Sequence, residues 1–355
     1  MKPAVLYLYK IITNHRRVCA MKKQILLLLA VALLLSACSA TEAVTEYAPK
    51  ESMRLTVYTS HKEEVYMPII REFEERTGIW VEVVTGGTSE LLEKIESQGD
   101  NVTVDVMFGG GVESLEAYEH CFSPYVAVHS DSIQDAFQTE DSIWTPFSAL
   151  PVVLIYNTKL VRPEMITGWA SLEDPAFRGR IAFADPAVSG SSFTALVTRI
   201  FAGQPHTDTL LPLAENLKGH MLSSSGDVLT AVADGTYLVG ITLEETALKH
   251  IAAGEDLALI YPCDGTSCVP DATAMVKGAP HSEHAKKFLD FTVSYEVQQM
   301  LSASFYRRPV RDDIPVAQSL VPLQDIALVD YDIGWACKNR NVILSDWSFF
   351  LKEAE

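Results

Sequence analysis

The sequence predicts an α/β fold in which mostly parallel sheets are covered by helices, and three observations point to it. Strand and helix patterns alternate along most of the chain, which is typical of parallel sheets packed between helices. Of the 355 residues, 48% are hydrophobic, which is a globular composition. About 300 residues follow an N-terminal leader, and that length is enough for two domains. The chain has no internal repeat and no low-complexity tract.

The N-terminal segment predicts export. A basic stretch that begins at Met21 precedes an almost wholly apolar run at 25–35, which is too short for a comfortable membrane span. The run ends in Leu35-Ser36-Ala37-Cys38, which resembles a bacterial lipobox, whose cysteine becomes the lipidated first residue of the mature protein. We therefore expect a lipoprotein signal peptide at 1–37, with Met1 or Met21 as its start, lipidation of Cys38, and a flexible tether at 38–52.

The charge balance excludes some classes of partner. The chain has 28 Lys and Arg residues against 46 Asp and Glu residues, a formal net charge of −18. Segment 1–37 contains basic but no acidic residues, so its removal leaves a still more acidic protein. Such a protein does not attract nucleic acid or an anionic membrane surface through its overall field. An anionic ligand would have to be held locally, by backbone amides, hydroxyls and a few placed cations.

The first predicted lobe has three strands, at 54–59, 80–84 and 104–108, each followed by a helix pattern. Ligands in open α/β sheets bind at the carboxyl ends of the strands. Each cluster there could be a mere turn, but three on one sheet edge favour a binding cleft. The three strand ends carry Ser60-His61, Gly86-Gly87-Thr88-Ser89, and Gly109-Gly110-Gly111.

The second predicted lobe begins with a long extended segment at 144–157, which ends at Asn157 and which we interpret as the first crossing between lobes. A strand at 180–183 then leads into a helix start that contains Ser189, Gly190, Ser191 and Ser192. Small hydroxyls and free amides at a helix start form an anion site, although one serine could simply cap the helix.

The same arrangement recurs before a helix at 228–234, where Ser224 and Ser225 stand. A strand at 237–242 then ends at Glu244-Glu245, and 257–261 reads as the return crossing. The two carboxylates could accept hydrogen bonds from ligand hydroxyls, or could be an ordinary charge pair at a helix start.

The remainder of the chain offers one cysteine pair and one basic patch. Cys263 and Cys268 flank a short Asp-Gly loop, so an exported chain could join them in a disulfide or leave them as thiols. A strand at 271–276 and helices at 282–291 and 295–302 follow. The patch at 307–311, which includes Arg308, is either a salt-bridged corner or a ligand contact.

The sequence contains no recognisable catalytic constellation. Gly-x-Ser-x-Gly, His-Glu-x-x-His and phosphate-binding Walker patterns do not occur. His61 is the histidine at a predicted strand end, where it could contact a ligand or be structural. We therefore expect a binding protein without a metal or other cofactor.

Six stretches spread over nearly the whole mature chain form a recognisable set: Leu55-Thr-Val-Tyr-Thr-Ser60, Gly86-Gly-Thr-Ser-Glu-Leu-Leu92, Asp105-Val-Met-Phe-Gly-Gly-Gly111, Leu154-Ile-Tyr-Asn157, Gly179-Arg-Ile-Ala-Phe-Ala-Asp-Pro186 and Ala285-Lys-Lys-Phe288. The set resembles the extracellular solute-binding proteins of ABC importers, family 1, in the iron(III)-type subgroup. The resemblance implies a type II periplasmic-binding-protein fold: two α/β lobes with two mixed, mostly parallel sheets, joined by a two-strand hinge, closing on one ligand and docking on a permease. It divides the chain into lobe 1 at 53–147 and 263–310, lobe 2 at 148–262, and C-terminal helices on lobe 2 at 311–355.

The resemblance also bears on the ligand. Iron-binding members carry an adjacent Tyr-Tyr pair where this chain has 240–246, and no Tyr-Tyr occurs here. The pattern is more similar to members that bind hexose phosphates, phosphoglycerate or aminoethylphosphonate. The alternatives are a ferric carrier that uses carboxylates with Tyr306 or His61, and the ligand-binding partner of a two-component sensor. We expect a monomer whose ligand contacts are Ser60, His61, Thr88, Ser89, Gly110, Gly111, Asn157, Ser189, Gly190, Ser191, Ser192, Ser224, Ser225, Glu244, Glu245 and Arg308.

Overall fold

Ten strands and ten helices build a two-lobed α/β structure in a computed structural model that describes residues 49–139, 141–203 and 206–354. The predicted signal peptide, the lipidation site Cys38 and most of the tether lie outside these residues. The strands are β1 (Arg54–Thr59), β2 (Trp80–Thr85), β3 (Val106–Gly111), β4 (Phe122–Ser123), β5 (Thr145–Asn157), β6 (Ile181–Ala182), β7 (Val239–Leu243), β8 (Leu257–Ile260), β9 (Cys268–Val276) and β10 (Arg308–Pro309). The helices are α1 (Glu63–Thr77), α2 (Thr88–Ser97), α3 (Val112–Ala117), α4 (Gly190–Ala202), α5 (Leu211–Leu217), α6 (Ser225–Ala233), α7 (Glu244–Ala252), α8 (Ser282–Thr292), α9 (Tyr295–Ser304) and α10 (Ile333–Glu353).

Strand β5 belongs to both lobes and links their sheets. Its first half pairs with β9 and β10 in the first lobe, whereas its second half pairs with β7 and β8 in the second. The long extended segment predicted at 144–157 is therefore the first crossing. The return crossing is not β8, which pairs with β5 inside the second lobe, but the segment at 261–267 that leads from β8 to β9.

The sheets are mixed, as expected, but antiparallel pairings outnumber the parallel ones among the described residues. Along the path β2-β1-β3-β9-β5-β7-β6, the parallel pairs are β1–β2, β1–β3 and β6–β7. The pairings of β5 and β9 are antiparallel in the described residues, because β5 leaves the first lobe and β9 returns to it.

Both sheets are buried on their two faces, as sheets covered by helices must be. In β5, Val152 and Leu154 pack into one cluster of the second lobe, while Val153 and Ile155 pack into another on the opposite face. This alternation follows from the period of two along a strand. Helix α10 adds Trp347 and other apolar side chains to the second-lobe core. No helix of the described residues is both long and apolar enough to cross a membrane.

Candidate functional site

A cavity of about 360 Å³ lies where the carboxyl ends of first-lobe strands meet helix starts of both lobes. We call it the interlobe cavity. Ten of the predicted contact residues line it, so the clusters singled out from the sequence do converge. These are Ser60, His61, Thr88, Gly110, Gly111, Ser189, Gly190, Ser191, Ser224 and Ser225.

The start of α4 is the helix start best suited to an anion. Ser189 caps it by accepting a hydrogen bond from the Ser192 amide at 3.4 Å, and the hydroxyls of Ser191 and Ser192 each lie 3.1 Å from the Ser189 hydroxyl. Ser191 lines the cavity, whereas Ser192 is buried and does not. The first turn contains no acidic residue, so no carboxylate of that turn neutralises the positive end of the helix dipole.

The start of α6 is less suited to an anion. The hydroxyls of Ser223 and Ser224 donate to one oxygen of Asp227, at 2.6 and 2.9 Å, and these hydrogen bonds lower the pKa of Asp227. An ionised carboxylate therefore already occupies the first turn of this helix. A phosphate there would meet a like charge and hydroxyls that are already engaged.

Glycines of β3 let two first-lobe side chains reach the cavity. Gly109 and Gly110 have φ angles of +98° and +99°. A Cβ on Gly109 would lie 2.8 Å from His61 Nε2, and one on Gly110 would lie 2.7 Å from Thr88 Cγ2. The glycine run, which the sequence predicts to follow β3, is part of the strand. Two of its positions require glycine because the backbone there lies close to the His61 and Thr88 side chains.

The start of α2 faces the start of α4 across the cavity. A Cβ built on Gly190 would lie 4.0 Å from Thr88 Oγ1. Gly87 caps α2 without a side chain, although Glu90 reaches back to its amide at 3.4 Å. Hydroxyls and amides of both lobes therefore line the same space.

His61 forms part of a second wall of the cavity, which we call the hinge wall and define as His61, Leu150, Val269, Pro270 and Asp271. The Thr59 hydroxyl accepts from the His61 amide at 3.1 Å and fixes the turn after β1. Only 9% of His61 is exposed, and its Nε2 has no hydrogen-bond partner in the part of the chain that the structure describes. Burial, and secondly the charge of Arg307, holds the pKa of His61 well below its usual value, so the imidazole is neutral.

Asp271 is the carboxylate of the cavity, and sequence reasoning missed it. It is 3% exposed. Its Oδ1 accepts from the amide and hydroxyl of Ser148, at 2.9 and 2.7 Å, and its Oδ2 accepts from Arg307 at 2.6 Å. His61 Nε2 lies 3.7 Å from the same Oδ2, beyond hydrogen-bond distance. The available signal was a charged residue within the apolar run of β9. The other cavity residues that the predicted contact set omitted are Gly86, Gly87, Leu150, Val188, Thr194, Ser223, Leu243, Val269 and Pro270.

Six predicted contact residues do not line the cavity. Glu244 is buried in a two-point ion pair with Arg308, at 2.7 and 2.6 Å, so the basic patch is a salt-bridged corner. Glu245 pairs with Arg307 at 3.3 Å. The Asn157 side chain donates to backbone carbonyls of α6 and its C-terminal end. The six residues are Ser89, Asn157, Ser192, Glu244, Glu245 and Arg308.

Of the two alternatives that the sequence leaves open for Cys263 and Cys268, a disulfide or two thiols, the structure has two free thiols. Residues between them are held by other partners: Asp264 accepts from the amides of Trp169 and Ala170, and the Thr266 hydroxyl donates to the Val152 carbonyl. The loop therefore needs no covalent closure. Cys121 and Cys337 are free as well.

The comparisons with known proteins agree with this architecture. Residues 101–334 match the family of bacterial extracellular solute-binding proteins. The chain is 26% identical over 306 residues to iron uptake protein A1 of Synechocystis sp., covering 81% of this chain and 84% of that protein. It is 24% identical over 251 residues to a putative 2-aminoethylphosphonate-binding periplasmic protein of Salmonella typhi, covering 68% and 73%.

A solved structure shows the same fold. The periplasmic binding protein AfuA from Actinobacillus pleuropneumoniae, with exogenous fructose-6-phosphate bound, superimposes with a TM-score of 0.78 at 23% identity, covering 84% of this chain and 98% of AfuA. The family match spans more than half of the chain. The protein therefore belongs to the bacterial extracellular solute-binding protein family, as an exported binding component of an ABC importer rather than an enzyme.

Proposed function

We propose that this protein captures a small phosphorylated or phosphonate solute in the interlobe cavity. The observation that carries the proposal is the start of α4, where hydroxyls and amides face the cavity in a first turn without an acidic residue. A volume of about 360 Å³ suits a solute of this size. The phosphate lies against Ser189, Gly190 and Ser191, with Thr88 opposite. The ligands after which the Salmonella relative is named and with which AfuA was solved belong to the same chemical class.

Ferric iron is the second candidate, because one relative is named an iron uptake protein. Ferric iron requires several anionic oxygen ligands, and the cavity residues include one carboxylate, Asp271, one neutral imidazole, His61, and no tyrosine. The Asp271 carboxylate is already paired with Arg307. Tyr306, considered from the sequence as an iron ligand, does not line the cavity. These observations favour the phosphorylated solute.

A thermal-shift screen of the purified protein distinguishes the two. We expect glucose 6-phosphate, glycerol 3-phosphate or 2-aminoethylphosphonate to raise the melting temperature, because a ligand that binds only the folded state stabilises it. Sulfate is the control for non-specific anion effects. A shift with ferric citrate alone, together with a visible charge-transfer colour, would overturn the proposal.

The protein acts from the membrane surface, tethered through a lipid on Cys38, and delivers its ligand to a permease after the lobes close. The lipobox resemblance at 35–38 supports the tether. Replacing Cys38 with Ala should move the protein from the membrane fraction to the soluble fraction without changing its ligand affinity. Equal membrane retention of both forms would rule out the tether.

A further inference from the structure

We propose that the hinge wall selects among phosphorylated solutes, accepting those whose other end donates hydrogen bonds and rejecting those that carry a second anion there. This inference rests on the proposed function, because it assumes that the phosphate occupies the α4 start. It concerns the part of the ligand that reaches Asp271 and His61.

The charges of the hinge wall and of the groups behind it sum to a negative value. Asp271 and Glu245 are acidic, Arg307 is the cation that pairs with both, and His61 is neutral. Arg307 does not line the cavity, and its terminal nitrogens are engaged by Asp271, Ser148 and Glu245. Its Nε is buried and has no hydrogen-bond partner among the described residues, but Arg307 is not a cavity residue, so the hinge wall itself presents no cation to a second anionic group of the ligand.

Glu113, at the edge of the cavity, does not change this sum. It is buried beside two cavity residues, accepting from Thr194 at 2.9 Å and lying close to Gly111. Tyr331 donates to the same carboxylate oxygen, and Arg340 is the charged group that faces it from α10. Burial raises the pKa of Glu113, which favours its neutral form. The negative sum therefore comes from Asp271 and Glu245.

The hinge wall can nevertheless accept hydrogen bonds. Asp271 Oδ2 has one hydrogen-bond donor, Arg307, and a carboxylate oxygen accepts two. His61 Nε2 is buried, faces the same oxygen at 3.7 Å, and has no hydrogen-bond partner among the described residues. A buried polar atom without a partner is unfavourable. A ligand hydroxyl would satisfy Nε2 in either tautomer of the imidazole, and an ammonium group would satisfy it when the proton is on Nδ1. A ligand carboxylate would instead stand beside Asp271, and like charges in such proximity are strongly unfavourable.

Two probe pairs test this selectivity by calorimetry. Glycerol 3-phosphate and 3-phosphoglycerate share their phosphate and differ in a terminal hydroxymethyl or carboxylate group. The pair 2-aminoethylphosphonate and 3-phosphonopropionate differs by an ammonium or carboxylate group. In each pair we expect the carboxylate to bind at least about tenfold more weakly, since like charges brought together at an interface repel each other.

Two variants test whether negative charge causes the discrimination between the probes. Asp271→Asn keeps the side-chain shape and should reduce the discrimination in both pairs. Because it leaves Arg307 partly unpaired and could impair folding, Glu245→Gln provides a second test: it removes one negative charge behind the wall without altering a cavity residue. The Ser89→Ala variant, which changes neither charge nor cavity lining, should keep the wild-type ratio.

The outcomes also distinguish the two proposals. Equal affinity within both pairs, or tighter binding of the carboxylates, would overturn the selectivity while leaving phosphate capture intact. A wild-type ratio retained in both charge variants would overturn it as well. Failure of every phosphate and phosphonate to bind would overturn the proposed function and the selectivity together.

Discussion

Replacing Ser191 with Ala should weaken binding of a phosphorylated ligand far more than it weakens the fold. Ser191 lines the cavity, and among the described residues its hydroxyl makes one hydrogen bond, with the Ser189 hydroxyl at 3.1 Å. Ser189 has two further partners, the amide and hydroxyl of Ser192, so the helix cap survives the change. The free hydroxyl is available to donate to the ligand.

The expected magnitude follows from the charge of the acceptor. A hydrogen bond to a charged group contributes about 1.5–3 kcal/mol, which corresponds to a Kd about 10- to 150-fold higher in the variant. The free energy of unfolding without ligand should change by no more than about 0.5 kcal/mol, because the lost contact is partly exposed. Titration calorimetry measures the Kd, and urea denaturation measures the stability.

Ser192→Ala is the matched control one residue along the helix. Ser192 is 4% exposed and its hydroxyl donates to Ser189, away from the cavity lining. Its loss should lower the free energy of unfolding by about 1 kcal/mol and leave the Kd within about threefold. The reasoning is refuted if Ser191→Ala binds as tightly as the wild type, or if both variants lose affinity equally.

Three further predictions concern the surroundings of the cavity. Gly110→Ala should destabilise the protein by about 1–3 kcal/mol and weaken ligand binding, because φ is +99° and the new Cβ would lie 2.7 Å from Thr88. Urea denaturation measures the stability, and an unchanged midpoint of the unfolding transition would contradict the prediction. Glu113→Gln should flatten the pH dependence of the free energy of unfolding. Burial raises the pKa of Glu113, so the wild type loses stability as the pH rises from the ordinary pKa of glutamate through the raised pKa. Identical pH profiles for the two proteins would contradict this prediction. Arg308→Met should lower the free energy of unfolding by about 3–5 kcal/mol, because it leaves the Glu244 carboxylate buried without its cation. Protein of this variant that still folds should keep the wild-type Kd for the ligand. A weaker Kd in well-folded Arg308→Met protein would show that the ion pair contributes to binding.

Local chemistry made several features predictable from the sequence. Hydroxyls before helices at 189–192 and 224–225 were identified because capping depends on neighbouring residues, and both Ser189 and Ser224 do cap helices. The crossing at 144–157 was identified because a strand buried on both faces is continuously apolar. These features require no knowledge of distant contacts.

Residues whose role depends on a distant partner were misassigned or missed. Glu244 was considered a ligand contact, but its partner Arg308 lies 64 positions away. Asp271 was missed because its contact with the cavity depends on the pairing of β9 with β5, which carries Ser148. The suitability of the α6 start for an anion, compared with that of the α4 start, depends on Asp227. Only the tertiary structure shows that this carboxylate accepts hydrogen bonds from Ser223 and Ser224.

The sequence by itself determined the α/β class, the family, and the helix starts that carry hydroxyl side chains, because these depend on periodicity and on groups a few residues apart. Only the tertiary structure decided which of these groups face a common cavity and which charges remain unpaired there. The reason is physical: Coulombic and hydrogen-bond interactions act over a few ångströms in space, and folding brings residues as far apart as His61 and Asp271 within 3.7 Å.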